Sequence, residues 1–146
     1  MAAMRCSVAT PDRALFEGEV AYAGVPGADG SYGVLPGHEL MLSLNAQGGV
    51  LTLHVGEDGQ DHRDYLIMGG ATQVFDDRVT VLARFGTLIN DIDADAVRAE
   101  LEEVRAAIAA LQQKDDDEQD KATLDTATMR QKWLELQLDY ANGKAQ

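Results

Sequence analysis

Two kinds of hydrophobic spacing divide this chain. Up to about residue 90 apolar side chains alternate with polar ones in short runs, and beyond that point they recur every third or fourth position. In VLTLHV, Val50 to Val55, the residues Leu51, Leu53 and Val55 fall on one face while Val50, Thr52 and His54 fall on the other, which is the period of a half-buried strand. EDGQDH follows, and its Asp58-Gly59 pair suits a hairpin turn because both residues tolerate positive φ. DYLIM, Asp64 to Met68, reads as the returning strand. Asp76-Asp77 then precedes RVTVLARF, in which Val79, Val81, Ala83 and Phe85 form one inward row, and ELMLSL after His38 reads as a further short strand. Short strands separated by regular turn signals point to a sandwich or barrel.

After Asp91 the period changes. Val97, Leu101, Val104, Ile108 and Leu111 make one helical face, with Asp93 as its cap and further acids at the positive end of the helix dipole. The run KDDDEQD, Lys114 to Asp120, is too charged to pack and reads as a turn. A second helix carries Leu124, Ala127, Leu134, Leu138 and Ala141 on one stripe and Met129, Trp133, Leu136 and Tyr140 on a neighbouring one, and Asn142-Gly143 ends it. The predicted fold class is β + α: an amino-terminal antiparallel β-sandwich or barrel over residues 1–90, then a carboxyl-terminal α-helical hairpin over 91–146.

Composition reinforces that division. Thirteen of the 14 glycines and all 3 prolines precede Asp91, whereas Lys114, Lys121, Lys132 and Lys144 all follow it; glycine and proline punctuate turns and interrupt helices. A net charge of −13 argues against nucleic acid and anionic lipid as partners, because both need clustered cations. Proteins are the expected partners. The lone Cys6 cannot form an internal disulfide, which suits a reducing compartment. The opening MAAMRCSVATPDR lacks a signal-peptide core, and no stretch reaches the ~18 apolar residues of a membrane span, so direct membrane insertion is not expected.

Candidate chemistry centres on GSYGVLPGHELML, Gly30 to Leu42. A phosphate-cradling loop needs a helix after its glycines and a lysine at hand, but a strand follows here and the first 90 residues hold no lysine. A bend forced by Gly30, Gly33, Pro36 and Gly37 is the better reading. His38, His54, His62 and Cys6 lack the close ligand pairs of structural zinc. Asp91, Asp93, Asp95 and Glu102 stand at positions one, three, five and twelve of a calcium loop, but Ala96 occupies the position that needs glycine and no helix precedes them. Trp133 and Tyr140 face either the first helix or another protein, and Arg130 and Lys132 suit an acidic surface.

Four ordered motifs then stand together: SVATPDRALFEGEV, the loop Gly30, Gly33, Val34, Leu35, Pro36, Gly37, His38, the pair in MGGATQV, and VTVLA from Val79. With the acidic helical hairpin they resemble the epsilon subunit of bacterial F-type rotary ATP synthases, over almost all of residues 4–90. The resemblance implies a non-catalytic central-stalk subunit that couples the c-ring to the gamma subunit. It also implies a peripheral place on the cytoplasmic face of the cell membrane, and a hairpin that reaches the catalytic head and restrains ATP hydrolysis. It implies a c-ring and gamma contact loop of Asp29, Ser31, Tyr32, Gly33, Val34, Leu35, Pro36, Gly37 and His38, where many relatives carry an acid at the position of Ser31. Hairpin contacts to gamma and the head would come from Met129, Arg130, Lys132, Trp133, Leu136 and Tyr140. Some members bind ATP at the start of the hairpin; Asp95, Arg98 and Ala99 have that motif's spacing, but Ala94 replaces its Ile or Leu, and no cofactor or metal is expected. Two readings from other classes are a free-standing adaptor using the hairpin and a small β-fold hydrolase using His38.

Overall fold

The computed structural model describes residues 3–113 and 118–141. Its strands are β1 (Met4–Thr10), β2 (Arg13–Gly27), β3 (Gly30–Val34), β4 (Met41–Leu44), β5 (Gly49–Val55), β6 (Asp61–Met68), β7 (Ala71–Phe75), β8 (Arg78–Leu82) and β9 (Phe85–Leu88). A 3-10 turn, Ile89–Asp91, precedes helices α1 (Ala94–Gln112) and α2 (Glu118–Ala141). The chain divides into two compact units between Asn90 and Asp91.

The strands hydrogen-bond in the order β4-β7-β8-β1-β2-β5-β6-β9, with β3 against β2. β2 makes a sandwich of this ribbon. Its first half pairs with β1 and its second half with β3 and β5, and the register slips between Val20 and Tyr22. A slip of that kind bends a strand and sharpens its twist, so one strand serves both layers. Between the layers lie Met4, Cys6 and Val8 of β1, Leu51 and Leu53 of β5, and Val79 and Val81 of β8, all buried in one cluster.

Three local expectations change. The pairing of β1 with β8 is parallel, while the other strand pairs are antiparallel. RVTVLARF is two strands, since the Ala83 amide bonds to the Ala9 carbonyl and the Arg84 amide to the Met68 carbonyl. Phe85 thereby opens β9, paired with β6. The β5–β6 connection takes its positive φ at Gly56 (89°) and Gly59 (68°), not at Asp58; the Asp58 carboxylate instead accepts from the Gln60 amide at 3.2 Å, closing an Asx turn.

Asn45, just past β4, is a buried polar staple with 2% of its surface exposed. Its Nδ2 donates to the carbonyls of Gly69 (3.0 Å) and Leu82 (3.2 Å), and its Oδ1 accepts from Thr72 Oγ1 at 2.7 Å. Gly70 sits beside it at φ 85°, where a Cβ would lie 1.8 Å from the Leu82 carbonyl oxygen. Only glycine fits that approach.

In the helical unit the Asp93 carboxylate accepts from the Ala96 amide at 3.2 Å, a standard N-cap that takes this carboxylate for helix start. Val97, Leu101 and Leu134 form the buried seam, flanked by Ile92, Val104 and Leu138. Arg130 pairs with Glu100 at 2.7 Å and Arg105 with Glu135 at 3.2 Å. The Arg105–Glu135 pair is exposed and adds roughly 0–1 kcal/mol, the Arg130–Glu100 pair is half-buried, and Trp133 and Gln137 of α2 are buried besides the seam. α2 begins at Glu118, inside the run read as a turn. Lys114 to Asp117 and the stop signal Asn142-Gly143 lie outside the described residues.

Asn45→Ala removes the partner of the Gly69 and Leu82 carbonyls and of the buried Thr72 hydroxyl, and is expected to cost about 2–3 kcal/mol, read as a lower urea midpoint at unchanged slope. Asn45→Asp will do no better, because its carboxylate would face two carbonyl oxygens.

Candidate functional site

The loop singled out in the sequence is built from two turns. Gly27 pairs with Gly30 across the β2–β3 hairpin, leaving Ala28 and Asp29 at its tip. After β3 the chain turns again at Leu35–His38. The His38 amide bonds to the Leu35 carbonyl at 3.1 Å, Pro36 holds the second place and Gly37 has φ 86°, the pattern of a type II turn. Asp29, Ser31, Gly33, Leu35, Gly37 and His38 are exposed, Pro36 is half-buried, and Tyr32 is half-buried with its hydroxyl bonded to Ser43 Oγ. Val34 is fully buried in the core; it packs the sandwich and offers a partner no surface.

Next to this loop lies a face that sequence reasoning missed. Residues of β4, β7 and β8 alternate strictly, and the buried partners Thr72, Val74, Val79 and Val81 leave their neighbours pointing outward. Register places Leu44, Ala71, Leu82 and Ala9 in one cross-strand row, with Leu42, Gln73 and Thr80 in the next. Leu42 is 75% exposed, Leu44 69% and Leu82 55%. Leu35, Leu40 and Phe75 are exposed large apolar groups as well. A shallow concavity lined by Leu44, Asn45, Gln47, Ala71 and Leu82 lies along the first row, so the Asn45 staple shapes it from below. Apolar side chains scattered singly over a surface need no explanation, but ones aligned in rows on adjacent strands mark an interaction surface. The signal was present in ELMLSL, where Leu40, Leu42 and Leu44 share one face and Glu39, Met41 and Ser43 the other.

The other candidates are dispersed. His54 and His62 stack with ring centroids 3.9 Å apart, opposite one another on β5 and β6, and Tyr22 lies 4.8 Å from His54. His38 is exposed on the turn. Among the described residues no group of three or more His, Cys, Asp or Glu side chains converges on a metal position. Asp93 of the calcium pattern is the α1 cap. Asp95 and Arg98 pair with each other at 2.7 Å, both exposed. On α2, Trp133 is buried, Arg130 is held by Glu100, Met129, Leu136 and Tyr140 are half-buried, and Lys132 is exposed. Cys6 lies in the sandwich core; burial first, then the Glu17 charge, push its thiol up to about 12.

A family model described as the ATP synthase delta/epsilon chain β-sandwich domain matches residues 3–87. An ATP synthase epsilon chain of Nitratidesulfovibrio vulgaris (strain DP4) is 33% identical over 127 residues, covering 87% of this chain and 92% of that one. One from Maricaulis maris (strain MCS10) is 34% identical, covering 77% and 80%. Among solved structures, a chain in the OSCP/F1/c-ring assembly of the Euglena gracilis mitochondrial ATP synthase in rotational state 1 aligns with a TM-score of 0.59. It is 25% identical and covers 93% of this chain and 79% of that one. A chain in the central stalk and c-ring of the Tetrahymena thermophila mitochondrial enzyme shares the fold at a TM-score of 0.54 and 16% identity.

The buried thiol makes Cys6 inert while the protein is folded. A thiol reagent at pH 8 is expected to label less than a tenth of an equivalent natively and one equivalent in denaturant. The unfolded thiol ionises from its ordinary value of 9.0 whereas the folded one holds its proton to about 12, so the unfolded state binds fewer protons above pH 9 and stability falls with rising pH there. Burial raises Tyr65 too, with the same sign. Cys6→Ala will reduce the loss of stability between pH 9 and 12 in a chemical-denaturation series.

Proposed function

The chain belongs to the epsilon-chain family of ATP synthases, and from that premise we propose that it is a non-catalytic rotor subunit whose sandwich couples the c-ring to the gamma subunit. The observation that carries this reading is the outward apolar face of β4, β7 and β8, with Leu42, Leu44 and Leu82 in aligned rows. A subunit that only transmits load needs a stiff body with broad complementary contact, and no reactive centre. We assign that face to gamma. The exposed residues of the 29–38 loop, Asp29, Ser31, Leu35 and His38 among them, we assign to the c-ring. No helix among the described residues is long and apolar enough to cross a membrane, and the subunit's place in this reading is peripheral, held by those two contacts on the cytoplasmic face.

The hairpin is the proposed brake on ATP hydrolysis. A seam of Val97, Leu101 and Leu134 with two ion pairs between the helices makes an assembly whose docked and released states can differ by only a few kcal/mol. A difference of that size lets a partner shift the population. Exposed Lys132 and half-buried Met129, Leu136 and Tyr140 supply the contact surface. We assign no ATP site to Asp95, Arg98 and Ala99, since Ala94 replaces the Ile or Leu of that motif.

The test is ATP hydrolysis by the matching catalytic head stripped of this subunit, with the full-length chain titrated back. Saturable inhibition is expected, and deletion of residues 91–146 will abolish it while co-purification with gamma persists. Inhibition unchanged by that deletion would overturn the brake; failure to co-purify with gamma would overturn the rotor assignment. Leu42→Ser with Leu44→Ser is expected to weaken gamma binding at least about tenfold, given ~1.5–3 kcal/mol for each fully buried leucine. Folded stability should change by no more than about 0.5 kcal/mol, because both side chains are exposed in the free chain.

A further inference from the structure

Two turns that are remote in sequence meet through one hydrogen bond. The Gly37 amide donates to Asp77 Oδ1 at 2.7 Å, across 40 positions of chain. Asp77 stands in the β7–β8 turn, which has only two central residues because Phe75 pairs with Arg78. Asp76 and Asp77 both have positive φ, 53° and 54°. Turns with that sign pattern favour Asn-Gly or Asp-Gly, since glycine adopts the second place without steric cost. An aspartate there is strained where a glycine would not be.

The retained strain is explained by what the side chain holds. The Asp77 carbonyl accepts from the Arg5 amide at 2.9 Å, anchoring the turn to β1, and its carboxylate reaches across to the Leu35–His38 turn. That turn already carries its internal bond from the His38 amide to the Leu35 carbonyl. The external bond fixes how the turn lies against the sandwich, and a hydrogen bond to a carboxylate is stronger than one between neutral groups. We propose that Asp77 is a positioning residue for docking: its carboxylate pre-orders the Leu35–His38 turn, so that Leu35 and His38 meet the ring already in place and little loop entropy is lost on contact. This rests on the reading of the 29–38 loop as the ring contact.

The substitutions that test it separate strain from function. Asp77→Gly removes the acceptor while relieving the backbone, and Asp77→Asn keeps an acceptor oxygen on a residue that tolerates positive φ. In the free full-length chain, Asp77→Gly is expected to melt no lower than the parent while amide exchange at Gly37 speeds up about tenfold or more. Binding to vesicles carrying the ATP synthase stripped of this subunit should weaken about tenfold, and Asp77→Asn, which keeps an acceptor without its charge, should fall between the parent and Asp77→Gly in both measurements. Unchanged exchange at Gly37, or faster exchange with parental binding, would overturn the positioning role while leaving the docking reading in place. Parent chain that fails to bind those vesicles would remove the docking reading, and the role of Asp77 with it.

Discussion

Asn45 joins segments that the chain keeps 24, 27 and 37 residues apart, through its bonds to Gly69, Thr72 and Leu82. A buried carboxamide has to find partners for donor and acceptor alike, and here the partners are the entry to β7, β7 itself and the end of β8. Its own backbone amide bonds to the Gly70 carbonyl at 2.9 Å. With these bonds in place β4 lies flat along β7, and Leu42 and Leu44 are held outward beside Leu82. The apolar face is thus fixed from beneath by a polar group that never reaches solvent.

This arrangement places stiffness where load would pass. The sandwich has a continuous core, a shared strand in β2, and turns pinned by specific bonds. The hairpin has a cap, a short apolar seam and two ion pairs between its helices. Such unequal investment suits a body that keeps its shape while an appendage changes its contacts. The strongly acidic net charge is compatible with this, because the aligned leucines on β4 and β8 contribute hydrophobic contact that salt does not screen.

Much of the fold was legible in the residues because alternation and 3.6-residue periodicity report burial directly. Leu51 and Leu53 are inward, Val97 and Leu101 form the helix seam, and Asp93 caps α1. Other features were out of reach for identifiable reasons. ELMLSL gathers Leu40, Leu42 and Leu44 on one face and Glu39, Met41 and Ser43 on the other, and alternation alone could not say that the leucine face meets water. RVTVLARF keeps one period through Phe85 although the hydrogen-bonding partners change at Ala83 and Arg84, and a change of partner leaves no mark on hydrophobic spacing. Val34 belongs to a recognisable motif yet faces the core. The bond from Gly37 to Asp77 links positions that no local pattern connects, and Arg130 looked available because its partner Glu100 lies on the other helix.

The parallel ladder between β1 and β8 bears on how the protein is made. β1 needs β8 as its neighbour, so the β1 edge stays open until nearly the whole sandwich has been synthesised. Non-local pairing of this kind slows folding and leaves apolar strands such as MRCSVAT and MLSL exposed in the meantime. The β1 edge is therefore among the last parts of the sheet to be covered, and in that interval a chaperone or an early-arriving partner has the most to protect.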